Sequence, residues 1–135
     1  STRPWQHVLE PLSGYLKLAS ELNRSEKLHG QAFNFGPALN SDFSVAQLIN
    51  QMSKSWKNVK WKDRSKKDKA KKEAGLLKLN CEKALVELDW KPTLDFEDTV
   101  KMTISWYQFF NKYKGKNLKN FNFDQIKNYM SLMNS

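Results

Sequence analysis

Arg3-Pro4-Trp5-Gln6-His7-Val8-Leu9-Glu10-Pro11 sets an arginine, an indole and two polar side chains directly before a run of helical periodicity. A guanidinium keeps its charge at every relevant pH and offers a rigid fork of donors. Arg3 is therefore the first candidate for holding an anion, and Gln6 and His7 follow closely enough to line the same pocket. No third member of a catalytic triad accompanies His7, so His7 itself reads as a packing residue. A chain that begins on such a corner is expected to be part of something longer.

Working outward, Val8, Leu12, Tyr15, Leu16, Ala19 and Leu22 recur at helical spacing and predict a helix over 10–23 that buries this face, with Pro11 tolerable in its first turn. Residues 31–35 read as a short strand ended by Gly36-Pro37, where the glycine suits a positive φ. Ser44 with Gln47 forms a capping box, and Phe43 with Leu48 supplies a hydrophobic staple for the helix that follows. Val45, Leu48, Ile49, Met52 and Trp56 share one face of it. Short strands are expected at 59–61 and 76–79, then a helix over 81–88 capped by Asn80. Asp95 caps the strongest helix, lined on one side by Phe96, Val100, Ile104 and Tyr107. Residues 113–135 read as a loose connector and a terminal helix carrying Ile126, Tyr129, Met130 and Met133. Phe35, Trp90 and Trp106 are expected in the core.

The chain of 135 residues suits one α/β domain with its own core. A single cysteine, Cys81, excludes an internal disulfide framework and reads as packing; no His/Cys ligand spacing points to a metal. No apolar run approaches a membrane span or a signal-peptide core, so no membrane partner is expected and the location expected is the cytoplasm. The net charge is +9, but ten of the twenty-three Lys and Arg residues fall within 54–72, against Asp63 and Asp68. With Trp56 and Trp61 interleaved, that segment could follow a phosphate backbone. A solvated lysine-rich loop is the simpler reading, and nucleic acid is not the expected partner.

The opening run, extended by Leu12-Ser13-Gly14-Tyr15-Leu16, resembles the segment that opens the substrate-binding part of CDP-glucose 4,6-dehydratases, extended members of the short-chain dehydrogenase/reductase superfamily. Four further stretches agree in order and spacing: Phe33-Asn34-Phe35-Gly36-Pro37; Lys72-Glu73-Ala74 with Leu77 to Ala84; Leu88-Asp89-Trp90-Lys91-Pro92 with Thr103 to Tyr107; and Asp124-Gln125-Ile126. The resemblance implies a C-terminal substrate-binding domain over 1–135, with several helices, a few short strands and the N-terminal Rossmann domain missing. It implies a lyase that uses NAD to move hydride from C4 to C6 of a hexose while water leaves across C5 and C6.

The glycine turn that lets a backbone approach the NAD pyrophosphate and the family's Tyr-x-x-x-Lys pair are both absent from this sequence. The chain is therefore expected to bind no NAD and to be catalytically silent alone, contributing affinity for a nucleotide sugar. By the same resemblance Arg3 contacts the substrate diphosphate, and Glu73, seven residues before Asn80, accepts hydrogen bonds from the ribose hydroxyls. Lys72 and Gln6 complete the candidate substrate-binding set; no residue of this chain is a catalytic candidate. Homo-oligomerisation remains open. Two other readings stand beside this one: another sugar-nucleotide epimerase or dehydratase of the superfamily, and a basic nucleic-acid-binding module.

Overall fold

The computed structural model describes residues 2–39, 41–60, 62 and 78–134. Lys72 and Glu73 lie outside them, as do most of the basic segment and parts of the strands expected at 59–61 and 76–79. The described residues are mostly helical, with five α-helices and one two-stranded sheet, compatible with a small α/β domain.

Strand β1 (Thr2–Pro4) pairs antiparallel with β2 (Asp42–Ser44), Arg3 lying opposite Phe43. Neither strand is evident in the sequence, because each is three residues long and too short for an alternating pattern. Helix α1 spans Leu9–Arg24 and a 3-10 turn follows over Glu26–Leu28. Helix α2 (Val45–Ser55) starts from the expected capping box: Ser44 Oγ accepts from Gln47 N at 3.2 Å and Gln47 Oε1 from Ser44 N at 2.8 Å. Leu48, Ile49, Met52 and Trp56 on it are half-buried. Phe43 stacks on Phe96 with ring centroids 3.7 Å apart.

Helix α3 (Glu82–Leu88) begins where Asn80 Oδ1 accepts from Glu82 N at 2.8 Å and stops at left-handed Asp89. Helix α4 (Phe96–Tyr113) is capped by Asp95, whose Oδ1 accepts from Asp98 N at 2.8 Å. Helix α5 (Leu118–Met133) returns antiparallel to α4, with Phe109 stacked on Phe121 at 4.3 Å and Gln125 Nε2 donating to Met102 O at 2.8 Å. The stretch between them is a tight reversal, not a loose connector. Lys114, Gly115 and Asn117 all take positive φ, and the Gly115 N–H bonds Phe110 O.

Three other expectations change. Residues 31–35 form no strand, because their backbone is bonded by side chains instead of a ladder. Gln6 Nε2 donates to Phe35 O, and Lys83 Nζ to Ala32 O. Gly36 has no positive φ; it is constrained by close approach, since a Cβ there would meet Leu79 and Cys81 at 3.0 and 3.3 Å. The face of α1 is also reversed. Val8, Leu12, Tyr15 and Leu16 are 61, 44, 58 and 74% exposed, while Glu10 and Gly14 are buried with Leu18 and Leu22 half-buried. Gly14 decides this. A Cβ on it would sit 2.3 Å from the Phe35 ring, so only glycine lets that ring lie flat against the helix. On α4 likewise, Tyr107 is half exposed, and Thr99, Val100, Met102 and Ile104 are buried.

Two apolar clusters form the core. Leu28, Phe35, Ala84, Leu88 and Trp90 make one, with Cys81 packed against it; Leu94, Met102 and Tyr129 make the other, with Leu9 against it. Phe35 meets Trp90 edge to face at 4.9 Å.

Candidate functional site

The β1–β2 ribbon fixes the opening corner. Arg3 Nη1 donates to Thr2 O at 2.8 Å, and Trp5 Nε1 donates to Phe43 O at 2.8 Å, pinning the chain just after β1 to β2. Gln6 follows, its amide donating to Phe35 O at 3.1 Å. Its Oε1 is buried and has no hydrogen-bond partner among the described residues. Such an acceptor is costly to leave unpaired. His7 is buried; its Nδ1 accepts from Leu9 N at 3.3 Å, which assigns the ring proton to Nε2. Burial pulls the His7 pKa below its ordinary 6.5 and keeps the ring neutral. This suits the packing role expected of it.

Gln6, His7 and Val8 form one wall of a cavity of about 520 Å³, and Trp106, Tyr107 and Ile126 form the facing one. Trp106 is half-buried and hydrogen-bonds Asn122 Oδ1 at 2.9 Å. The lining is largely apolar with a few amide groups, the usual make-up of a small-molecule pocket. Arg3 sits on the ribbon beside this cavity and is not among its lining residues. Of the four substrate-binding candidates, Arg3 and Gln6 thus share one corner, and Lys72 and Glu73 fall outside the described residues.

Beneath the corner lies a network that the sequence reading missed. Glu10 is 1% exposed, and its carboxylate accepts from Thr93 N at 3.0 and 3.1 Å, from Leu94 N at 2.6 Å and from Tyr129 Oη at 2.8 Å. Ser13 Oγ donates to Glu10 O at 2.7 Å and accepts from Trp90 Nε1 at 2.9 Å. A buried carboxylate supplied with N–H and O–H donors holds its charge without a cation. It ties the first turn of α1 to the 93–94 loop and to α5. The one signal available in the sequence was the spacing of Glu10, Gly14, Leu18 and Leu22, which share a helical face opposite the expected one. Burial raises the Tyr129 pKa above its ordinary 10.0, and the adjacent Glu10 charge adds to the rise. Burial likewise raises the Cys81 thiol, leaving it a poor nucleophile.

Among the described residues no three His, Cys, Asp or Glu side chains converge on a metal position, and no helix is long and apolar enough to cross a membrane. No family model matches the chain. Over 131 residues, 97% of its length, it is 32% identical to a protein of Salmonella typhimurium (strain LT2) described as CDP-glucose 4,6-dehydratase. The match spans 36% of that protein, so the chain covers about a third of its relative's length. The resemblance carried by the five collinear segments therefore extends along nearly the whole chain, which is identified as a relative of one part of a CDP-glucose 4,6-dehydratase.

Proposed function

We propose that this chain is the nucleotide-sugar-binding part of a CDP-glucose 4,6-dehydratase-like lyase and does no chemistry by itself. The observation that carries this reading is the 32% identity over 131 residues to an enzyme of that name. The site agrees with it in kind. Arg3 supplies a fork for the diphosphate, and Gln6 leaves a buried acceptor at the cavity wall for a sugar or ribose hydroxyl. Lys72 and Glu73 are proposed to complete it, Lys72 on the diphosphate and Glu73 on the ribose. NAD belongs to the whole enzyme, where it would take and return the hydride; the residues needed to bind it are not in this sequence. What this chain contributes is affinity and orientation. A soluble, cytoplasmic setting accompanies that reading.

The second class of function rests on the lysine-rich segment, where Lys54, Lys57, Lys60 and Lys62 are all exposed. Competition separates the two. Fluorescent CDP-glucose bound to the chain should be displaced by unlabelled CDP-glucose and left in place by single-stranded oligonucleotide. Displacement by oligonucleotide alone, fading steeply with salt, would favour the nucleic-acid module.

A further inference from the structure

We propose that the apolar stripe of α1, continued onto α5, is the docking surface for a dinucleotide-binding α/β domain. The partner's identity rests on the function proposed above; the surface itself rests on geometry. Val8, Leu12 and Leu16 stand one turn apart with Tyr15 beside them, all substantially exposed. Between Val8 and Leu16 the single charged residue is Glu10, and it is buried. Two turns of helix surface thus meet solvent without one charged group.

Helix α5 extends this surface. Ile126 lines the cavity with Val8, and Tyr129 bonds Glu10 and Ser13, so α5 runs alongside α1. Met130 and Met133 are 55 and 48% exposed, and no charged residue follows Lys127. Soluble monomers seldom leave contiguous apolar patches beyond roughly a few hundred Å² uncovered unless something binds there.

Three observations select the occupant. Nearly two-thirds of the Salmonella relative lies outside the match. The glycine turn for a dinucleotide is missing from this sequence, so a redox cofactor must arrive on another body. Finally, Val8 belongs both to the stripe and to the cavity wall beside Gln6 and His7. A domain seated on the stripe therefore abuts the cavity, where its nicotinamide would have to meet the hexose. The surface lacks the cations that a nucleic acid or an anionic membrane would need.

The test uses the 135-residue chain and, as probe, the portion of the Salmonella typhimurium CDP-glucose 4,6-dehydratase outside the matched region. Calorimetry should show saturable one-to-one binding. The double change Leu12→Glu and Leu16→Glu should weaken it at least about tenfold, since charge is buried against an apolar face. The melting temperature of the isolated variant should stay within about 2 °C of the wild type, because both positions are exposed. No binding by the wild-type chain, or equal binding by the variant, would overturn the proposal. So would a concentration-dependent dimer of the chain abolished by the same change, which would give the stripe to a second copy. Arg3→Ala separates this from the site reading: it should leave domain binding intact, and failure to bind CDP-glucose alongside normal domain binding would count against the nucleotide-sugar reading alone.

Discussion

Glu10 shows how one side chain organises the rest. Its carboxylate reaches three backbone or side-chain partners separated from it by 83 to 119 residues in sequence. Tyr129 is the member of this set whose titration can be followed. Its pKa is raised, so its contribution is complete below the unfolded value near pH 10 and is lost as pH rises through the folded value. Stability should therefore fall on the alkaline side from about pH 10, and Tyr129→Phe should flatten that limb. The same change should cost about 1–3 kcal/mol at neutral pH, because Glu10 loses a donor. Denaturant melts across pH check both. His7 acts with the opposite sign: its lowered pKa means stability present above pH 6.5 and lost as pH falls. Gly14→Ala should cost about 1–3 kcal/mol by overpacking, because the new methyl collides with the Phe35 ring at 2.3 Å.

At the scale of elements, caps were the most legible feature. Ser44, Asn80 and Asp95 each accept the backbone N–H expected of them, because a cap is a local hydrogen bond between residues two or three apart. Ser44→Ala should therefore destabilise by about 1 kcal/mol in thermal melts, with Ser44→Gly costing only a few tenths. What could not be read locally was which face of α1 turns inward. Apolar periodicity marked Val8, Leu12 and Leu16, and periodicity marks the face that some partner covers without saying which partner. The inner face instead runs through a glycine and a carboxylate, residues that hydrophobic patterning discards. The short β1–β2 ribbon was invisible for a related reason: a three-residue pairing 40 positions apart leaves no pattern, and its register is known only once Arg3 faces Phe43.

At the scale of the molecule, two small apolar clusters joined by the Glu10–Ser13–Trp90–Tyr129 network support a corner holding Arg3 and Gln6. Half of the candidate site was legible through the opening run alone. The other half, Lys72 and Glu73, depends on the order and spacing of matched segments and lies outside the described residues. The central claim is that this corner binds a nucleotide sugar through its diphosphate, and calorimetric titration of CDP-glucose into the wild-type and Arg3→Ala chains tests it most directly. Loss of charge-assisted hydrogen bonds worth about 1.5–3 kcal/mol predicts saturable binding by the wild type that weakens by roughly one to two orders of magnitude in the variant. Arg3→Lys should recover only part of it, since an ammonium keeps the charge without the planar fork. Saturable binding unchanged by Arg3→Ala, or no binding of CDP-glucose by the wild-type chain, would contradict the account.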